Sequence, residues 1–126
     1  MIDRPTDPAI TERVRGVCMC LPEVTERLSH GEATWFVHDK KSFVMMSDHH
    51  HDDRLAFHCA APVGVQEELV ESEPDRFFRP PYVGGRGWLG VYLDVEPVDW
   101  DEIAAIVVDA YRVIAPTKLI ALLDQR

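Results

Sequence analysis

The sequence is short of basic residues, of cysteines and of long apolar runs. Lys and Arg total 13 against 22 Asp and Glu, which gives a formal net charge of −9 with His neutral. Non-specific nucleic-acid binding depends on the neutralisation of phosphates by Lys and Arg, so this balance counts against it. A local basic patch is still compatible with the total, because a ligand responds to the surface it meets.

No apolar run approaches the ~18 residues that cross a membrane, and no basic segment precedes an apolar core at the N-terminus. We therefore expect a cytoplasmic protein that does not bind membranes. A chain of 126 residues matches one domain of roughly 100–150 residues, so we expect a single domain over residues 1–126.

The cysteines Cys18, Cys20 and Cys59 are odd in number and too few for a disulfide framework. Cys18 and Cys20 fall in a helical pattern, in which residues two apart point away from each other. We therefore expect buried or half-buried thiols and no metal shared by that pair.

Apolar periodicity predicts four helices separated by strands. The helices are predicted at about 8–20, at 62–73, after the N-cap Asp99, and after Thr117, with Pro116 between the last two. Strands are predicted at 24–30, 33–38, 42–47, 54–60 and about 88–94, and 76–87 is predicted to be a loop. Strands joined by short loops favour an α+β fold, a twisted antiparallel sheet of about five strands with helices packed on one face.

The stretch from Arg79 to Leu93 is the most informative part of the chain. Within it Leu89, Val91 and Leu93 alternate with Trp88, Gly90 and Tyr92. Successive strand residues point to opposite faces, so this strand has one aliphatic face and one aromatic face. We expect the aliphatic face to be covered by a helix.

Several segments, taken in order and at their spacing, resemble the MmcQ/YjbR-like family of small bacterial proteins, over about residues 8–124. They are Leu21-Pro22-Glu23-Val24 at the end of the first helix, Ala33–Val37, Lys41–Ser47, Arg54–Cys59, Pro81-Tyr82 before Trp88, Val91–Asp94, and a late helix that carries Tyr111 and ends near Lys118. The resemblance implies a fold similar to the frataxin/CyaY group and a role in DNA binding through a pair of β-hairpin wings. The family's biochemical function is largely unestablished. Frataxin-type iron handling uses an acidic ridge on the first helix, and that ridge is absent here because Glu12 stands beside Arg13 and Arg15.

The wing hypothesis requires cations at hairpin tips. Lys40 and Lys41 occupy one predicted tip, while Arg79 and Arg86 flank the second loop. Flat rings for stacking would come from Tyr82, Trp88 and Tyr92. The alternative is that these cations only solubilise turns or pair with local carboxylates. DNA binding predicts that the four cations converge on one side, away from the acidic segment Glu67–Asp75.

A histidine-rich loop is the weak candidate for a metal site. Its candidate ligands are His49, His50, His51 and Asp52, residue types that suit transition metals. A real site also needs fixed geometry and supporting partners, so we expect no physiological metal and no cofactor.

Catalysis has little support, because the sequence contains no Walker motif, no HExxH and no nucleophile elbow. If the protein is an enzyme, the strongest catalytic candidates are His38, His58 and Asp94, two of which could form an acid–base pair. The sequence therefore favours a non-catalytic binding module, with DNA as the first partner to test. The alternative is a protein-interaction or small-ligand module, as a homodimer or with a protein partner, that uses the exposed sheet face near Trp88. An enzyme of unknown reaction comes third.

Overall fold

The computed structural model describes residues 8–49 and 52–126. In this part of the chain, four α-helices and six strands follow one another, and a short 3-10 helix precedes the last strand. In chain order they are α1 (Pro8–Met19), β1 (Val24–Ser29), β2 (Glu32–Val37), β3 (Lys41–Asp48), β4 (Leu55–Cys59), α2 (Val65–Ser72), β5 (Phe77–Phe78), the 3-10 helix (Gly84–Arg86), β6 (Leu89–Tyr92), α3 (Trp100–Ile114) and α4 (Thr117–Asp124).

The strands form one antiparallel sheet in the order β1-β2-β3-β4-β6-β5. This confirms the predicted α+β class. The sheet has one strand more than expected, because β5 consists only of Phe77 and Phe78 inside the predicted loop 76–87. Two residues are too short to show the alternation from which a strand is recognised.

The core lies between the sheet and helices α1 and α3. Helix α3 packs over β3, where the ring of Tyr111 meets Phe43 edge-on with 5.7 Å between ring centroids. The Tyr111 hydroxyl donates a hydrogen bond to the carbonyl oxygen of Pro22 at 2.7 Å. As predicted, Leu89, Val91 and Leu93 face this core, with exposed fractions of 0%, 2% and 1%.

Helix α3 begins where the sequence predicts. The carboxylate of Asp99 accepts hydrogen bonds from the backbone N–H groups of Asp101 and Glu102, at 3.1 and 3.2 Å, and so caps the helix. The Glu102 carboxylate itself pairs with Arg76, which ties the start of α3 to the segment before β5. None of the helices in the described ranges is both long and apolar enough to cross a membrane.

The opposite face of the sheet, here called the outer face, is defined by one cross-strand row. The register aligns Thr34, Met45, His58, Gly90 and Phe78 across five neighbouring strands. Side chains of directly paired residues share a face, so this row points away from the row Trp35, Val44, Cys59 and Leu89 that faces the core.

Candidate functional site

A cleft of about 540 Å³ lies between the outer face and the segment that follows β5. This segment, residues 79–83, turns back over the sheet after β5, so that a loop and not a helix covers this part of the outer face. The residues that line the cleft are His30, Glu32, Met45, Met46, Ser47, His58, Pro81, Tyr82 and Val83.

The floor of the cleft carries buried polar side chains. Glu32, Ser47 and His58 have exposed fractions of only 8%, 8% and 5%. One oxygen of the Glu32 carboxylate accepts a hydrogen bond from the backbone N–H of Asp48 at 2.8 Å, which orients the group. Extending the β2–β3 register from the Thr34–Met45 pair places Glu32 opposite Ser47. Three polar side chains with little exposure therefore lie together on this one surface, below an otherwise largely apolar lining.

A row of rings holds His58 on the floor. The Phe78 ring meets His58 edge-on at 5.6 Å and stacks on Tyr92 at 4.5 Å between centroids. The guanidinium of Arg54 lies 3.7 Å from the centre of the Tyr92 ring and closes the row. The residue of β6 that is paired with Phe78 is Gly90, which has no side chain. The Phe78 ring can therefore lie directly against the backbone of β6.

The structure does not bring His38, His58 and Asp94 together as an acid–base site. Asp94 pairs with Arg54 through bonds of 2.7 and 2.8 Å and also accepts from the backbone N–H of Leu55. The hydrogen bonds from Arg54 are the main reason why the pKa of Asp94 is lowered. His38 is exposed at the β2–β3 turn, beyond the opposite end of the strands. Of these three residues, only His58 lines the cleft.

Helix α2 holds the loop over the cleft through hydrogen bonds from Gln66. The side-chain amide of Gln66 donates to the carbonyl oxygens of Gly84 and Trp88, at 2.8 and 2.5 Å, and is itself 6% exposed. Arg79 packs on the same loop so closely that a Cβ on Gly84 would come within 2.7 Å of its Cγ. Tyr82 is 90% exposed at the mouth of the cleft.

The aromatic residues proposed for stacking have different surroundings. Tyr82 lines the cleft, whereas Trp88 is 3% exposed with Arg86 5.5 Å from its ring. Tyr92 is half-buried between Phe78 and Arg54. A ligand on the outer face therefore meets Tyr82, while the other two rings have little surface to offer.

The four cations proposed for DNA binding are all exposed. Within the described residues, no carboxylate lies within ion-pair distance of Lys40, Lys41, Arg79 or Arg86. They share one end of the sheet, because Lys41 begins β3 and Arg79 follows Phe78, which pairs with Gly90 near the start of β6. Strands β3 and β5 are three strand spacings apart, or about 14 Å.

The acidic helix α2 lies at the same end of the sheet. Its Glu67 and Glu68 are exposed, and the helix binds the Arg86 loop through Gln66. DNA binding predicts that the four cations lie away from the acidic residues of α2. The loop that carries Arg86 does not meet this requirement, because it is bound to α2.

The histidine-rich loop is partly described. The His49 ring pairs with the Asp48 carboxylate, and its backbone N–H donates to the carbonyl of Arg54 at 2.9 Å. Asp52 accepts from the backbone N–H of Arg54 at 2.9 Å. His50 and His51 lie outside the described residues. Among those that are described, no group of three or more His, Cys, Asp or Glu side chains is placed to hold a metal ion.

Among the residues that line the cleft, the sequence pattern identifies Tyr82 as a candidate for stacking and His58 as a candidate member of an acid–base pair. It does not identify Glu32, Met45 or Ser47. Strand alternation could have placed Glu32 and Ser47 on the faces they occupy, but the register that makes them neighbours is known only from the folded sheet.

The structure defines an α+β domain with a helical layer on one face of an antiparallel sheet and a ligand-sized cleft on the other. The chain belongs to the YjbR family, whose model matches residues 19–113, and this confirms the MmcQ/YjbR-like resemblance. A similar solved structure is the crystal structure of Deinococcus radiodurans protein DR2400, a DUF419 domain. It has 15% sequence identity and a TM-score of 0.71, over 90% of this chain and 87% of that one.

At this identity the likeness establishes the fold. No curated protein matches the sequence. The implied relation to the frataxin/CyaY group stays a prediction.

Proposed function

We propose that this protein is a cytoplasmic, non-catalytic module that binds a small molecule in the cleft of the outer face. The observation that carries the proposal is the cleft itself, about 540 Å³ in volume, with Glu32, Ser47 and His58 buried on its floor. Ligand sites are typically concave, about 300–1,000 Å³, largely apolar and provided with a few convergent polar groups.

The lining of the cleft is largely apolar and contains a few polar groups, as is typical of ligand sites. Met45, Pro81 and Val83 supply apolar walls, and the polar groups are few and lie on the floor. Within the described residues, the Ser47 hydroxyl has no hydrogen-bond partner, so it is available to a ligand. A ligand that hydrogen-bonds to this hydroxyl and covers the apolar walls would gain from both contacts.

The methionines provide a direct test. In protein labelled with ¹³C at the methionine methyl groups, Met45 reports on the cleft, Met46 reports on the core beneath it, and the exposed Met19 of α1 is an internal control. A library of cationic, neutral and anionic fragments is titrated, and assignments come from single Met→Leu variants. We expect fragments that shift the Met45 signal and leave Met19 unchanged.

A cleft-filling variant separates the cleft from the rest of the surface. Val83→Trp fills the cleft but keeps the Met45 reporter, so it should abolish the Met45 shift, whereas Val63→Trp, at a fully exposed position, should preserve it. The proposal is overturned if no fragment shifts the Met45 signal, or if Val83→Trp folds and binds as the unmodified protein does.

DNA binding is the second candidate, and the observation that favours it is the set of four exposed cations without ion-pair partners among the described residues at one end of the sheet. Anisotropy of a labelled duplex at low and physiological salt tests it. Each phosphate contact contributes about −0.9 to the slope of log K against log salt, so Lys40→Ala with Lys41→Ala should make the slope less steep. The matched double variant Lys118→Ala with Arg126→Ala removes the same charge from the C-terminal segment and should not. Absence of binding at low salt removes this candidate.

A further inference from the structure

We propose that the cleft selects neutral molecules with an apolar body and one hydroxyl or amide group, and that this group hydrogen-bonds to Ser47. This inference rests on the proposed function, because it names the class of ligand for the same cleft. It makes Ser47 the residue that determines specificity.

Ser47 differs from the other polar side chains of the floor because, within the described residues, its hydroxyl has no hydrogen-bond partner. The residue is only 8% exposed, and its direct neighbour on β4 is Ala56, whose side chain is a single methyl group. No side-chain oxygen or nitrogen in the described ranges is both unpartnered and sealed from solvent, so the Ser47 hydroxyl opens into the cleft that it lines. A hydroxyl donates one hydrogen bond and accepts others, so it can bind alcohols and amides alike.

The ionisable side chains of the lining do not favour a charged ligand. Glu32 and His58 already have interaction partners within the protein. The Glu32 carboxylate accepts from the backbone N–H of Asp48 at 2.8 Å, and the His58 ring meets Phe78 edge-on. A ligand that paired with either group would compete with the contacts that hold it. His30 is exposed at the β1–β2 turn, where a charge pair in contact with water contributes little.

A charged group would therefore reach the floor without an opposite charge that is free to pair with it. Among the described lining residues, none is Lys or Arg. Removal of a charge from water is costly unless the charge is paired. A hydroxyl or an amide costs less, because it exchanges a hydrogen bond to water for one to Ser47. The lining thus disfavours ammonium and carboxylate ligands alike.

The walls define the rest of the ligand. Met45, Pro81 and Val83 offer apolar surface, which favours a hydrocarbon body because its burial removes apolar area from water. The thioether of Met45 is polarizable and makes favourable contacts with aromatic rings. An aromatic alcohol or amide therefore fits both the walls and the floor.

The test compares four probes that share a phenyl ring and differ in the rest of the molecule. They are 2-phenylethanol, ethylbenzene, 2-phenylethylammonium and 3-phenylpropanoate, each titrated against the Met45 methyl signal. We expect the alcohol to bind about tenfold or more tightly than either charged compound, because each charge would lose hydration without gaining a partner. Ethylbenzene has no hydrogen-bonding group, so it measures the contribution of the apolar walls alone.

The variant Ser47→Ala removes the hydroxyl and keeps the walls. It should lower the affinity for 2-phenylethanol about three- to tenfold, the range expected for one hydrogen bond, and leave the affinity for ethylbenzene unchanged. Ser42→Ala makes the same change on the same strand, outside the cleft, and should change neither affinity.

The outcomes distinguish this inference from the proposed function. If a charged probe binds as tightly as the alcohol, or if Ser47→Ala changes the affinities for the alcohol and ethylbenzene by the same factor, the inference is overturned and the cleft remains a binding site. If none of the four probes shifts Met45, the inference is again overturned, and the fragment library decides whether the proposed function falls with it. The comparison of probes in the unmodified protein does not depend on how the variant folds.

Discussion

The ring of Phe78 lies against the backbone of Gly90 on the neighbouring strand, so closely that a Cβ on Gly90 would come within 2.4 Å of Phe78 Cζ. The two residues are directly paired in the register of β5 and β6. An aromatic ring that covers a cross-strand glycine protects its backbone and pins the register of a short strand. Here the same ring also stacks on Tyr92 and touches the edge of His58, so the contact connects the end of the sheet to the floor of the cleft.

The contact predicts that Gly90→Ala destabilises the protein. The added methyl group must displace a ring that is held on both sides, and overpacking of this kind costs about 1–3 kcal/mol. Gly16→Ala is the control, because a Cβ added at Gly16 would meet no atom within 4 Å and a helical alanine should stabilise by about 0.5–1 kcal/mol. Urea unfolding measures both changes, and a Gly90→Ala variant as stable as the original would contradict the packing described.

A half-buried network around Glu26 predicts how stability depends on pH. Arg15 donates to the Glu26 carboxylate at 2.7 and 3.0 Å, and the Trp35 indole N–H donates at 2.9 Å. The hydrogen bonds from Arg15 are the main reason why the pKa of Glu26 is lowered. A carboxylate with a lowered pKa in the folded state stabilises the protein above its unfolded pKa of about 4.3, and this contribution is lost as the pH falls through the folded value.

Glu26→Gln should therefore cost about 1–3 kcal/mol at pH 7, and the difference from the original protein should shrink as the pH falls below the unfolded pKa of about 4.3. Glu12 is the second carboxylate partner of Arg15, and its side chain is 70% exposed, so Glu12→Gln should cost less than about 1 kcal/mol. Urea unfolding at several pH values provides the measurement. A Glu26→Gln penalty that is constant with pH would show that the carboxylate charge does not contribute.

The hydrogen bonds of Gln66 predict that the loop over the cleft depends on a single amide. Gln66→Glu would place a carboxylate against the carbonyl oxygens of Gly84 and Trp88, so neither acceptor would keep its donor. Loss of hydrogen bonds to buried acceptors should cost about 2–4 kcal/mol for the two together. Gln125→Glu makes the same change at an exposed position near the C-terminus and should be close to neutral.

Backbone amide hydrogen exchange gives a second measurement for Gln66→Glu. The amides of the loop, such as Gly84 and Arg86, should exchange faster than in the original protein, while those of α3 should change less. Equal acceleration everywhere would mean that Gln66 supports the whole fold and not the loop in particular.

The thiols should differ sharply in reactivity. Cys18 and Cys59 are fully buried, and burial raises the pKa of both, whereas Cys20 is exposed. Because the thiolate is the reactive form, Ellman's reagent should modify one thiol in the native protein and three after unfolding. Cys20→Ser should abolish the native reaction. Rapid modification of a second thiol in the folded protein would contradict the burial.

Much of the fold could be predicted from local patterns. The alternation of Leu89, Val91 and Leu93 identified a core-facing strand, and the apolar stripe of α3, with Val107 and Tyr111, identified its buried face. These signals repeat along the chain with a fixed period, so they are visible without tertiary contacts. The two-residue strand β5 was missed because it is shorter than one period of any pattern.

The sequence alone determined the α+β class, the positions of most helices and strands, the acidic charge and the family. The cleft was decided only by the tertiary structure. Glu32, Ser47 and His58 come from three strands, and they meet because the register of β2, β3 and β4 aligns them on the outer face. The loop that carries Tyr82 then covers them, held from α2 by Gln66. Strand register and the return of a loop over a sheet depend on contacts between distant parts of the chain, which no local periodicity records.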